Sequence, residues 1–469
     1  MSNKETTKKF KMPDTWIIVF AMVAIVSVLS WIIPPGTYQY ETVEINGSMR
    51  NLAIEGSFEY LEEGAGKPTG LLGVFSALYR GCVNTASTIF MVFTCCATFR
   101  IMVQTGAFHA GIGVLLKKLG KSGPILIIVM MIIFGLGGSV FGMLSEFFGF
   151  YPLVVGLAIA LGYDAMTGMA ILALGAYVGF AAGTLNPYNV MISQGIAQVE
   201  MFSNLWYRWV CFAVMVGICI IYVLRYALKV KKDPSKSIVY GLKNMHSFSE
   251  GDMDQYKLDK KTILVLIDLL VTLCILAVGL LKYGWGNNQL CGLFIGMSIF
   301  AAVVSGWSSD KYVAEFCEGV KGMAWGALIA GIAGGIMVVM NDALIIDTII
   351  HYLAELLKSA PNQISAQLML VVQTLINLPI CSSTGQAAVT MPIMAPLGDA
   401  LNISRDATCL IYQLASGLTD LVYPVSNIVI VCGLCDIKYE TWLKWVMPLV
   451  GILFVAEMGL VSVFLMLGI

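Results

Sequence analysis

Charge is scarce in this 469-residue sequence. Only 12% of its residues are Asp, Glu, Lys or Arg, three are histidine, and the formal net charge is −1. No basic stripe interleaved with aromatic residues is present, which removes nucleic acid from the expected partners. HExxH, GxSxG and phosphate-binding glycine loops are missing from suitable contexts, and His109, His246 and His351 do not cluster, so no enzyme chemistry is expected. The Cys432–Cys435 pair lacks a second pair or a nearby histidine to complete four ligands. No metal centre and no cofactor are therefore expected. The twelve cysteines lie almost wholly in or beside apolar segments and read as small buried hydrophobes.

What is abundant is apolar surface. Hydrophobic residues make up 58% of the chain and the mean hydropathy is +0.82, more than a water-soluble domain of this size needs. Runs of roughly 20 apolar residues, enough to cross a bilayer core of about 30 Å, recur between short polar connections. The sequence predicts an all-α polytopic membrane protein of the bacterial inner membrane, with the lipid bilayer as its solvent. The first run, Trp16 to about Ile33, is longer than a signal-peptide core and has no small-residue cleavage site after it, so it is expected to stay as the first span.

Lysines set the expected topology. Lys4, Lys8, Lys9 and Lys11 precede the first span and place the N-terminus in the cytoplasm, and the acidic loop at about 38–68 is then external. A span near 83–104 returns the chain to Lys117, Lys118 and Lys121. The stretch 122–162, interrupted by Gly135–Gly142, reads as a re-entrant hairpin, because a glycine cluster argues for a helix break. Such a break is tolerated only where protein or water satisfies the backbone. The stretch 165–199 is a span broken at Ala181–Asn189, where Pro187 removes a donor. A span near 205–228 leads into the lysine-rich loop 229–261.

The second half repeats this pattern upside down. After a linking span at 262–282, spans near 290–306 and 323–341 match the first two. Interfacial segments precede the second span of each half (Leu71–Arg80, Val313–Lys321), and amphipathic stretches follow it (Ala110–Leu119, Ile349–Lys358). A second hairpin, 362–402, breaks at Cys381–Gln386. A second broken span, 405–434, is interrupted at Ser416–Asn427, and a last span lies near 446–468. The expected architecture is about nine spans in two inverted repeats, 1–228 and 290–469, joined by the loop and linking span of 229–289. Segments 122–199 and 362–434 are its transport elements. Matched broken helices in inverted halves are a signature of secondary transporters, because freed backbone groups bind solute or ions near the midplane.

The N-terminal KMPDTW, the WIIPPGTY that ends the first span, SSTGQAAVTMPIMAPLGD in the second hairpin and YPVSN in the second break carry a resemblance over nearly the whole chain. The sequence resembles the family of anaerobic C4-dicarboxylate carriers and basic amino acid antiporters. It looks like the basic amino acid branch, known for exchanging arginine for ornithine, and is similar in layout to the wider ion-transporter superfamily. The resemblance implies a homodimer in which a transport domain moves against a scaffold in elevator fashion.

Candidate site residues gather at the breaks. Ser382, Ser383, Thr384 and Gln386 bring hydroxyls, an amide and free N–H groups suited to a substrate carboxylate, or to helix capping. Asn186, Asn189, Ser426 and Asn427 stand at the other breaks. Glu146 and Asp420 are acids inside apolar segments, where an ionised carboxylate must face a cavity, a partner or a cation. Asp342 is a further candidate near the outer boundary. Basic residues near the breaks are lacking: Arg80, Arg100, Lys321 and Arg405 fall toward membrane boundaries. A basic amino acid wants one anion-binding pole and acids for its amino groups, which this set matches. Helix ends together with Na+ or H+ offer the alternative, an ion-coupled C4-dicarboxylate or other small carboxylate.

Overall fold

The computed structural model describes residues 15–45, 48–54, 56–62, 64–107, 110–111, 123–241, 258–283, 285–358, 362–378 and 380–468. The lysines before the first span and at 117–121, most of the Ala110–Leu119 stretch, His109 and His246 lie outside these residues.

Helix α1 (Thr15–Ile32) occupies the first expected span. The acidic loop after it is not irregular. It folds into two antiparallel ribbons, β1 (Gly36–Thr37) with β4 (Glu59–Tyr60) and β2 (Tyr40–Ile45) with β3 (Ser48–Ala53). The predicted interfacial segment extends into α2 (Leu71–Asn84), followed by α3 (Ala86–Gln104) across a 57° bend. In the second half the corresponding segment and span are fused into one 35-residue helix, α11 (Ser309–Ala343). The chain from Val313 to Asn341 contains no proline to break it. Its glycines serve close packing instead: a Cβ on Gly81 of α2 would lie 2.3 Å from the Gly335 nitrogen, and one on Gly319 2.5 Å from the Ala97 Cα.

The first hairpin forms, with its break moved. Helix α4 (Gly123–Phe141) runs straight through the glycine cluster that was expected to interrupt it. The chain turns only at Gly142, whose φ of +68° suits glycine, and then makes a 3-10 turn (Ser145–Phe150) and α5 (Tyr151–Ala160). The cluster's role is contact with α6 (Ala165–Ala181): a Cβ on Gly138 would stand 2.1 Å from the Ala176 carbonyl oxygen, and one on Gly179 2.2 Å from that of Gly135. Entry and exit of the hairpin are side by side, since a Cβ on Gly123 would meet the Tyr163 hydroxyl at 2.6 Å.

The broken spans fall where expected. Helix α6, capped by Asp164 through the Thr167 N–H, stops at Ala181, and α7 (Val190–Ile196) resumes after the break. Helices α8 (Leu205–Lys232), α9 (Lys260–Tyr283) and α10 (Asn287–Val304) follow. Beyond α11, an 83° bend leads into α12 (Ile346–Lys358). The second hairpin pairs α13 (Asn362–Asn377) with α14 (Ser383–Ala400). Ser383 to Gln386 therefore form the first turn of a helix rather than a loop. The second broken span is α15 (Arg405–Leu418), a 3-10 turn and α16 (Ile428–Leu434). Helix α17 (Tyr439–Leu467) starts before the predicted 446, and takes Lys444 into its first turns, where it pairs with Glu440 at 2.5 Å.

By length and composition, α4, α8, α10 and α17 are each able to cross a membrane, and the number among the described residues rises to six if each bent pair is one span. The remaining apolar helices, among them α1, α6 and α13, are shorter. Of these, α6 belongs to the first broken span and α13 to the second hairpin, whereas α4, an arm of the first hairpin, is itself long enough to cross.

Candidate functional site

The two hairpin tips and the two helix breaks meet around one polar cavity of about 340 Å³. From the first tip come Gly142, Leu144, Ser145 and Glu146. Ser382, Ser383 and Thr384 enter from the second. Phe180 and Tyr188 flank the first break, while Asp420 and Asn427 belong to the second.

Glu146 is buried, and the turn after Gly142 folds its side chain back on the tip: Oε2 accepts the Leu144 N–H at 2.9 Å and the Ser145 hydroxyl at 3.4 Å. Its second oxygen remains for the cavity. Asp420 sits in the 3-10 turn Thr419–Leu421, also buried, with no hydrogen bond to its carboxylate among the described residues. The seat of that turn is fixed by the Thr419 hydroxyl, which donates to Asn377 Oδ1 at 2.5 Å. The second tip is held as a helix N-terminus, with Ser382 Oγ accepting the Gly385 N–H at 3.2 Å and the Tyr412 hydroxyl donating to the Ser383 carbonyl. The remaining first-turn N–H groups and the Thr384 hydroxyl suit an anionic group. The cavity thus offers one anion-binding pole and two carboxylates, and among the described residues no lysine or arginine lines it.

The other candidates stand behind this surface. Asn186 donates to the Gly138 carbonyl at 3.2 Å and accepts the Tyr188 N–H at 2.9 Å, bolting the first break to the first hairpin. Asn189 donates to the Phe180 carbonyl at 2.8 Å and accepts the Val190 N–H at 2.6 Å. Gln386 donates to the Gln373 carbonyl and side chain, each at 2.9 Å, and accepts from Asn377 at 2.8 Å. Ser426 donates to the Asp420 carbonyl at 2.7 Å. These side chains replace backbone bonds that the breaks remove. Asp342 lies away from the cavity at the end of α11, paired with Arg80.

Two elements were missed by sequence reasoning. Asn287, the first residue of α10, lines the cavity and donates to Ser87 Oγ at 3.1 Å. Its signal, an Asn-Asn pair opening a span, was hidden by assigning it to the linker. Arg208 of α8 is buried and bonds Gln413 Oε1, and Gln413 donates to the Ala181 and Gly183 carbonyls at 3.0 and 2.7 Å. Among the described residues no group of His, Cys, Asp and Glu is arranged to hold a metal ion.

Hairpin tips and helix breaks converging on a polar cavity inside an apolar helical body define a multi-pass membrane transporter. The chain belongs to the C4-dicarboxylate anaerobic carrier family (DcuC), whose sequence model matches residues 12–466. It is 29% identical to the Escherichia coli (strain K12) protein named "Putative basic amino acid antiporter YfcC", with 97% of this chain and 96% of that protein aligned. It is 26% identical to an uncharacterized protein of Haemophilus influenzae (strain Rd), covering 99% and 100% of the two chains. Among solved structures, it is similar to the Alcanivorax borkumensis YdaH transporter (15% identity, TM-score 0.45, 97% and 99% coverage). A second is Neisseria gonorrhoeae MtrF, from a class of antimetabolite efflux pumps (14% identity, TM-score 0.43, 96% and 94% coverage). The protein is a bacterial carrier that performs secondary active transport, and it is not an enzyme.

Proposed function

We propose that the cavity between the hairpin tips binds a small carboxylate-bearing solute, its carboxylate at the N-terminus of α14 and its counter-charges at Glu146 and Asp420. The reading that this geometry supports best is exchange of basic amino acids such as arginine and ornithine across the inner membrane. The observation that carries it is the lining itself, with two acids and no base. A carboxylate in a partly dehydrated site needs a positive partner. A cationic amino acid brings that charge with it, and the E. coli relative is named for this substrate class.

The second reading is ion-coupled transport of a C4-dicarboxylate or other small carboxylate. The family description favours it, and on that ground it has more support from known proteins than the first. In this reading Na+ or H+ neutralises the two acids before a doubly negative solute enters. Both readings place Glu146, Asp420, Asn427 and Ser382–Thr384 at the solute. Both take the hairpins and broken spans as the moving part of an elevator-type homodimer of two inverted repeats, with the N-terminus cytoplasmic.

Competition in proteoliposomes separates them. Under the first reading, unlabelled arginine and ornithine displace labelled arginine, succinate and fumarate do not, and uptake requires a basic amino acid inside. Transport of labelled succinate without measurable arginine uptake would hand the assignment to the second.

A further inference from the structure

One acid outside the cavity is enclosed more completely than either Glu146 or Asp420. Glu457, in the middle of α17, is 0% exposed, and both of its carboxyl oxygens are buried with no hydrogen-bond partner. Helix α17 runs antiparallel to α8. The Tyr222 hydroxyl donates to the Trp445 carbonyl at 2.7 Å, and the Tyr207 hydroxyl to the Leu460 carbonyl at 2.6 Å. With matched helical rise, Glu457 falls level with Val210, between the heights of Arg208 and Cys211 on α8. Glu457 and Arg208 both lie close enough to the Cys211 thiol to act on it electrostatically.

Arg208 links this stretch of α8 to the first break, and the acid that acts on it is Asp406. Its guanidinium is buried, bonds only the neutral amide of Gln413, and keeps a buried Nε–H without a partner. Through Gln413 it is fastened to the carbonyls of Ala181 and Gly183 at the first helix break. The other elements packed on α17 add few ionisable groups. Helix α8 brings Tyr207 and Cys211 beside Arg208. On α15, Cys409 and Asp406 face the same seam, and Asp406 already accepts hydrogen bonds from Ser203 and Asn204. Helix α16 brings Cys432. Helix α13 has no ionisable side chain, and its Gln367 donates to the Met458 carbonyl and to Ser462.

An ionised carboxylate with neither water nor a hydrogen bond is untenable inside a membrane, so the group enclosed here is the neutral acid. The same carboxyl has a second stable arrangement, the ionised form, wherever water reaches it. Which arrangement holds depends on whether the seam between α8 and α17 is closed or wetted. We propose that Glu457 is the proton-binding residue of this carrier. It keeps a proton while the seam is closed, and releases it to water when the transport elements shift the first break and open the seam. Because the carboxyl has no exposure in the closed arrangement, protons exchange only with that movement. Movement-gated exchange is the requirement for coupling proton flow to solute flow. The inference rests on the ion-coupled form of the transport reading.

The test uses the full-length protein in proteoliposomes, wild type against Glu457→Gln, with labelled arginine and labelled succinate each as probe. Equal-pH exchange of preloaded solute reports whether the protein carries that solute, and a pH gradient reports coupling. A one-unit gradient supports about tenfold accumulation for one proton per solute. The wild type is expected to show gradient-driven accumulation with whichever probe it exchanges. Glu457→Gln is expected to equilibrate that probe without concentrating it, while equal-pH exchange continues. Accumulation by Glu457→Gln at the wild-type level, or the absence of any gradient response in wild type, overturns the proposal. Loss of exchange together with loss of the folded protein would assign Glu457 to packing and overturn it equally. Failure of both probes to exchange in wild type would instead count against the transport reading.

Discussion

Asp420 and Glu146 line one cavity, yet their carboxylates are not equally available. Glu146 has one oxygen engaged by the Leu144 N–H and the Ser145 hydroxyl, whereas the Asp420 carboxylate has no partner of its own among the described residues. If a cationic group binds here, Asp420 offers it two oxygens and Glu146 one. A charge-assisted hydrogen bond contributes about 1.5–3 kcal/mol, so Asp420→Asn should weaken the binding of a basic amino acid on the order of 10- to 100-fold. In Glu146→Gln the amide oxygen still accepts the Leu144 N–H and the tip keeps its shape, so the loss should be smaller, about tenfold. The assay is half-maximal competition against labelled arginine counterflow, normalised to folded protein. A larger cost for Glu146→Gln than for Asp420→Asn would refute the geometry of the argument. Unchanged arginine competition in both variants would refute the role of the acids as counter-charges.

The remaining predictions concern the packing of α4 on α6 and the wall of this cavity. Gly138→Ala puts a Cβ about 2 Å from the Ala176 carbonyl, and should destabilise the fold by about 1–3 kcal/mol or more. The unfolding midpoint in detergent checks it, with Gly217→Ala as control because nothing lies within 4 Å of a Cβ there. Asn287→Ala removes a polar contact from the cavity and the bond to Ser87, so it should weaken solute binding by up to about tenfold, with the unfolding midpoint close to wild type because Asn287 is only half-buried.

Much of this arrangement was legible in the sequence, because breaking a helix in an apolar environment needs residues that leave a mark. Pro187, Pro424 and the asparagines beside them announced both broken spans, and the serines of the second tip announced the start of a helix. The glycine cluster of α4 misled because glycine has two uses that composition does not separate. It loosens a helix, and it also lets another backbone come close. At Gly138 and Gly179 the second use wins, and only the partner chain 38 residues or more away reveals it. The ribbons β1 to β4 escaped notice because acidity draws attention to the side of the membrane rather than to strand pairing. They are pinned by Asp347, which accepts the Tyr38 N–H at 3.0 Å and the Tyr40 hydroxyl at 2.8 Å, across more than 300 residues of sequence. Glu457 escaped for the opposite reason. One acid near the centre of a long apolar helix resembles its surroundings until burial and missing partners are known.

The side chains at the breaks divide into two groups, and the division limits what the solute is able to be. Asn186, Asn189, Gln386 and Ser426 are occupied in replacing backbone hydrogen bonds, which a broken helix must recover in a medium without water. They have little left for a ligand. The polar groups that face the cavity are two acids, Ser145, Tyr188, Asn427, a hydroxyl-rich helix N-terminus and Asn287. A basic amino acid entering that space lowers its negative charge, while a dicarboxylate adds two negative charges to a lining that already holds two acids. Bringing like charges together in one cavity is unfavourable unless a cation compensates them. If Glu146 and Asp420 hold the solute as proposed, a dicarboxylate would bind only after protons or metal cations had neutralised them, whereas a basic amino acid would need no such preparation. On the proposed site, the requirement for a coupling cation, more than the shape of the cavity, would distinguish the two substrate classes.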